Sequence, residues 1–292
     1  MKQPPVTTVA TNLPVRVIVP HSGLAGFQYA MASLWVGFPA ALRLALRFFL
    51  RDTKAAYRQS LLGYFWILLP PVANTLVWVM LNKSGVVSID PGGVPYPIFV
   101  LAGTVLWAAF NGAIVATLGV VGEARGLLSK VNFPHESLVY NAFLKALVDA
   151  TIPASLIIAA LFFYPVELGI HALLFPVALL GLLLLGMAIG VILIPLATLY
   201  SDVGRGVQLA LRFGFFVTPV IFPLPAAEPA RTLMSLNPAT PLIVSGRSWL
   251  VGAGDSMPVA FFGVILASLL VIAIGLLLFK VAMPHLIERL SS

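Results

Sequence analysis

Of 292 residues, 60% are hydrophobic and only 9% charged, and Lys plus Arg outnumber Asp plus Glu by 17 to 10, a formal net charge of +7. Soluble domains are about one quarter charged, so this composition excludes a water-clothed globule, and the basic excess concerns lipid headgroups and orientation rather than nucleic acid. Cysteine is absent, which excludes a disulfide framework, a thiol nucleophile and a thiolate metal site.

Residues 1–33 are broken by Pro and lack the apolar core of a cleaved signal peptide; an irregular cytosolic segment is expected there. Residues 34–60 read as an amphipathic interfacial helix. At about 100° per residue, Arg43, Arg47, Arg51, Lys54 and Arg58 share an arc of about 80°. Ala41, Ala45, Phe48, Phe49 and Ala56 fall on the other side. The basic face suits headgroups or cytosol, and the aromatic face acyl chains. Each cation near an anionic surface contributes about 1 kcal/mol. Asp52 lies opposite the cations, so either the helix bends there or Asp52 meets a protein donor that fixes the helix against the bundle.

A spanning helix needs about 20 apolar residues. Six stretches qualify: 61–81, 98–121, 138–163, 172–199, a shorter one at 207–222, and 258–282. Together, residues 61–282 form an expected all-α membrane domain, with 283–292 a cytosolic tail. With the N-terminus inside, twelve of the Lys and Arg residues lie near inner helix ends, while Lys83, Arg231 and Arg247 lie outside. This asymmetry places both termini in the cytosol. Residues 223–257 hold two apolar pieces too short to span, around 226–236 and 239–251, each preceded by Pro; they read as re-entrant or interfacial helices.

The inner loop 122–137, "GEARGLLSKVNFPHES", reads as a short helix stopped by Phe133 and Pro134. In the third span Lys145 and Asp149 are four apart and share a face, where they are placed to pair. Arg212, near the start of the fifth span, has the reach to snorkel to the inner side. The aromatics Tyr64, Trp66, Trp107, Phe110, Tyr140 and Phe143 fit an interfacial belt. No phosphate-cradling Gly-x-x-x-x-Gly-Lys-Ser/Thr motif occurs. The four His residues are scattered and no paired-carboxylate motif occupies a loop, so no metal site and no catalytic residue is assigned.

The stretch "RDTKAAYRQSLLGYFWILLPP" resembles the opening signature of permease subunits of ABC exporters for polysaccharides and polyol phosphates, the O-antigen (Wzm-like) and teichoic acid group. Arg51, Asp52, Lys54, Tyr57, Ser60, Leu62, Gly63, Trp66 and Pro70 carry the likeness; Ala56 stands where an Arg is usual. Further likeness runs through "YPIFVLAGTVLW", "LLSKVNFPHE" (His135 in place of Arg), "YSDVGRGVQ", "TPVIFP" and "LNPATPLI", covering about residues 40–250. The resemblance implies a homodimer around a central conduit in the bacterial inner membrane, with two copies of a separate ATPase subunit that bind ATP and Mg; this chain needs no cofactor. It implies that loop 122–137 is a coupling helix docking into that ATPase through Glu123, Arg125, Leu127, Leu128, Lys130 and Phe133. It implies aromatics lining the conduit, and a polyprenyl-pyrophosphate-linked polysaccharide, O-antigen first, recruited near the basic helix. Teichoic acid, capsule and cell-wall galactan exporters share the pattern. A membrane enzyme acting on polyprenyl-linked sugars is the rival from another class, and its catalytic carboxylates are not found.

Overall fold

Without water at the bilayer centre each backbone amide needs an internal partner, and a helix supplies one within a single segment. The computed structural model describes residues 24–58, 62–63, 65–128, 130–164, 166, 168–252 and 256–291, and every regular element among them is helical. In chain order these are α1 (Leu24–Arg58), α2 (Phe65–Lys83), α3 (Tyr96–Glu123), α4 (Arg125–Leu128) and α5 (Glu136–Phe163). A 3-10 turn, Ile170–Leu174, leads into α6 (Phe175–Leu199), followed by α7 (Ser201–Val217), α8 (Ala230–Ser235), α9 (Ala239–Val251) and α10 (Pro258–Ser291).

Among the described residues five helices are long and apolar enough to cross a membrane: Phe65–Lys83, Tyr96–Glu123, Glu136–Phe163, Ile170–Leu199 and Pro258–Arg289. The stretch expected at 207–222 is instead α7, shifted toward the N-terminus and 17 residues long. Two local causes set its ends. Tyr200 is extended (φ −129, ψ 109) and breaks the chain from α6, so "SDVGRG" forms the first turns of α7, tied by an Arg205–Asp202 contact of 3.1 Å. Thr218 precedes Pro219, which disfavours the helical region, and it too is extended (φ −97, ψ 140).

Two other boundaries need correction. α1 begins at Leu24 rather than 34, because "LAGFQYAMAS" holds no helix breaker beyond one Gly. Residues expected as a tail from 283 continue α10, with Pro284 inside the helix.

α3 is the central post, buried along most of its length and packed against α6, α5, α2 and α9. Its closeness to α6 depends on Gly186, where an added Cβ would lie 2.6 Å from the Phe110 carbonyl oxygen. Toward the start of α3, a Cβ on Gly103 would run into the Val220 carbonyl, so the chain after α7 crosses directly over the α3 backbone. The core divides lengthwise. One cluster centres on α3, α6 and α9; the other joins the C-terminal ends of α3 and α6 to the start of α5 and the second half of α10, with Leu34 and Phe48 of α1 packed on it.

Candidate functional site

The second cluster underlies the face where α1, α4 and α5 meet. Along α1 the residues Leu34, Ala41, Ala45, Phe48 and Asp52 recur at seven- and four- or three-residue steps, one helical stripe. Ala41 and Ala45 are fully buried, and Phe48 meets Phe133 edge-on at 5.7 Å. Phe38, almost three turns before Phe48, meets Tyr140 edge-on at 5.5 Å. The stripe thus faces α5 and the loop before it, not acyl chains, which corrects the expectation for Ala41, Ala45 and Phe48. Small side chains let the two helices approach, and aromatic edges fill the space beyond them.

Asp52 completes the stripe. Its Oδ2 accepts a hydrogen bond from Asn141 Nδ2 at 3.0 Å, and its Oδ1 accepts one from Arg51 Nε at 2.8 Å. Of the two possibilities open for Asp52, a protein donor is the one realised. Arg43, Arg47, Arg51 and Lys54 remain exposed on the opposite side; Arg51 also lies over the Phe48 ring at 5.0 Å. The side chain of Arg58, and Tyr64 as a whole, lie outside the described residues.

α3 ends at Glu123, whose carboxylate pairs with Lys145 Nζ at 2.8 Å. Lys145 therefore does not pair with Asp149, which is exposed. Nine residues into α5, Lys145 sits about 14 Å along that helix. That brings its long side chain level with the end of α3, where a carboxylate from another helix is the nearer partner. A cavity of about 200 Å³ lies between α1, α3 and α5, bordered by Phe48, Asp52, Glu123, Leu127, Asn141 and Lys145. Buried Glu136 pairs with Lys280 and so ties the start of α5 to α10. Beside it, His135 is held below its usual pKa by burial, with Lys280 adding and Glu136 opposing.

The loop expected to present an apolar docking face uses much of that face internally. Leu128 is buried in the core, Leu127 half-buried at the cavity, Phe133 packed on Phe48 and His135, and Glu123 held by Lys145. What stands clear of the bundle is Arg125, Gly126, Lys130, Val131 and Asn132. Four backbone hydrogen bonds, including Leu128 N–H to the Ala124 carbonyl at 2.9 Å and Val131 N–H to the Leu127 carbonyl at 3.1 Å, make this corner rigid.

The aromatics separate. Trp107 and Phe110 are buried within the protomer, 5.3 Å apart, with Phe215 against Trp107 at 6.1 Å. Packing inside one chain leaves these two no surface for a conduit. Tyr140 and Phe143 are half-buried, Trp66 is exposed, and so are Phe213 and Phe216 of α7. Arg212 is exposed as well.

The charge pattern puts Arg247 among outer-loop cations, yet it is a fully buried side chain of α9. It donates to the carbonyls of Pro219 and Val220 at 3.0 Å each. These groups are left free by the break after α7 that Pro219 and Pro223 impose. Two prolines bracketing exposed carbonyls were the available signal.

A helical membrane bundle with a basic helix clamped to one end and a rigid short corner beside it suits a membrane transport component. The chain belongs to the ABC-2 type transporter family, whose pattern matches residues 43–251. It is similar to the O-antigen export system permease protein RfbA of Myxococcus xanthus, 31% identical over 198 residues, covering 67% of this chain and 75% of that one. It is also similar to an O-antigen export system permease protein RfbA of Klebsiella pneumoniae, 24% identical over 201 residues, covering 68% and 76%.

Proposed function

We propose that the protein is the permease subunit of an ATP-driven exporter of a lipid-linked polysaccharide, O-antigen being the first candidate, and that two copies form the conduit in a bacterial inner membrane. The observation that carries this reading is the placement of α1: four exposed cations in a row, held by Asp52 and Asn141 against the bundle beside the α4 corner. A basic row lying on the membrane surface attracts a phosphorylated lipid head, and the clamp fixes where that head arrives. Support for the substrate class comes from the relatives named for O-antigen export.

In this reading both termini and α4 are cytosolic. The ATPase, which holds ATP and Mg, docks on Arg125, Lys130 and Val131, and α7 makes a sixth, short crossing by thinning the bilayer around it. The pair α8–α9 is re-entrant from the outer side. Two copies meet so that exposed aromatics such as Trp66, Phe213 and Phe216 border the path; sugar rings slide along aromatic faces because stacking there is weak and poorly directional.

The test is reconstitution. The chain is purified with its partner ATPase subunit, and export of a polyprenyl-linked glycan into proteoliposomes is measured for wild type and for Arg47→Glu with Arg51→Glu. Export lost while the ATPase still coelutes is the expected result. Undiminished export by the double variant would remove head recruitment at α1.

A further inference from the structure

Arg247 is 1% exposed and belongs to no ion pair among the described residues. A guanidinium stays charged in proteins and carries five N–H donors. Nη1 uses both of its hydrogens, on the Pro219 and Val220 carbonyls; Nη2 reaches the Phe222 carbonyl weakly at 3.5 Å; Nε–H has no partner at all. The Phe99 ring, 3.7 Å from the guanidinium carbon, accepts part of the charge on one face. What remains is one edge, Nε–H beside the second Nη2–H, the fork that grips an oxyanion with two parallel hydrogen bonds. A buried cation without a counter-charge is costly, and among the described residues its partners are carbonyls, which supply dipoles but no negative charge.

Arg247 also lines a cavity of about 290 Å³ at the end of the bundle away from α1, together with Phe99, Arg231, Asp90, Val244 and Met257. Arg231 brings a second guanidinium from exposed surface. Asp90, on the loop between α2 and α3, is the only carboxylate among the described residues that line it, and its Oδ1 already accepts from Gly92 N–H at 2.9 Å. Among the described lining residues, two cations stand against one engaged carboxylate.

We infer that this cavity is an anion site, in which a phosphate group bonds to the open edge of Arg247 and to Arg231. Two arginines favour phosphate, whose tetrahedral oxygens satisfy two forks at once, and the volume admits a phosphate with attached atoms. The group has two possible sources, a free phosphate or a lipid headgroup. The inference does not depend on which glycan is exported.

The experiment uses the full chain in neutral detergent, titrated with inorganic phosphate at constant ionic strength against chloride and read by calorimetry and thermal unfolding. A second arm compares nanodiscs of phosphatidylglycerol with nanodiscs of phosphatidylcholine. Saturable phosphate binding, weakened about fivefold or more by Arg231→Gln and tightened by Asp90→Asn, is expected. Both substitutions are at exposed positions, so the fold survives them. Stabilisation only by phosphatidylglycerol, lost in Arg231→Gln, supports the site and identifies the headgroup as the source. No response in either arm, or a response unchanged by both variants, overturns it.

Discussion

Asp52 of α1 accepts a hydrogen bond from Asn141 of α5 at 3.0 Å, across 89 residues of sequence. It is the polar end of an otherwise apolar stripe, and Asn141 itself is buried. Removing the carboxylate leaves the Asn141 amide with neither of its groups partnered, since Oδ1 already lacks one. Asp52→Ala is therefore expected to cost about 1–3 kcal/mol, concentrated on the attachment of α1. The check is Ala45→Cys, the only thiol in a chain without cysteine: wild type shields it from a maleimide, and Asp52→Ala exposes it without unfolding the bundle. Equal labelling in both backgrounds would show that the apolar stripe alone holds the helix.

The Glu123–Lys145 contact behaves differently. Its partners are 58% and 30% exposed, so solvent screens the pair. Glu123→Gln or Lys145→Met should change unfolding stability by less than about 1 kcal/mol. The pair nevertheless joins the helix that runs into α4 to the helix carrying Asn141. Transport, or ATPase activity stimulated by the complex, is expected to fall far more than stability does. A loss of activity matched by an equal loss of melting temperature would make the contact merely structural.

The α4 corner calls for a particular kind of test. Deleting 127–130 would remove buried Leu128 along with any docking surface, and collapse would be uninformative. Arg125→Glu with Lys130→Glu alters only exposed side chains. The chain should fold and melt as before while the ATPase subunit separates from it on size exclusion. Coelution with the double variant moves the docking surface elsewhere.

How much of this was readable beforehand follows from range. Composition and hydropathy depend on residues taken singly, so the membrane class and the five long helices were legible, as was the basic arc of α1. The position of Asp52 on the wheel even posed the right question. Partner choice depends on three-dimensional proximity, so sequence spacing favoured Asp149 for Lys145 while α3 brought Glu123 closer. Leu127 and Leu128 read as surface because a polar loop surrounds them, and only the fold supplies the core that covers Leu128. Trp107 and Phe110 read as belt or conduit because hydropathy does not separate lipid, lumen and protein interior. Arg247 was misplaced for the complementary reason: its partners are backbone carbonyls, which leave no trace in residue identity.

Close packing of α3 on α6 gives a stability prediction. A Cβ at Gly186 would press on the Phe110 carbonyl at 2.6 Å, a backbone atom of a buried helix that has nowhere to go. Gly186→Ala should destabilise by about 1–3 kcal/mol. Gly204→Ala, in α7 with nothing within 4 Å, should be neutral or stabilise by about 0.4–1 kcal/mol. Both are read as melting temperature in detergent, and similar shifts for the two would contradict the close approach.

His135 gives the pH prediction. It stands just before α5, 5.3 Å from the Phe133 ring, and faces Glu136 and Lys280. Burial is the main reason its folded pKa lies below 6.5, so the fold prefers the neutral ring. The unfolded chain takes up the proton first as pH falls. The stabilising contribution is thus complete above the unfolded value near 6.5 and declines as pH drops through the lower folded value. Melting temperature should fall between about pH 7 and pH 5 more steeply in wild type than in His135→Gln, which has no proton to gain there. Docking of the corner should weaken over the same interval, because Phe133 packs on both His135 and Phe48 of α1. Parallel profiles for the two proteins would mean that the ring is solvated in both states and has no part in holding the corner.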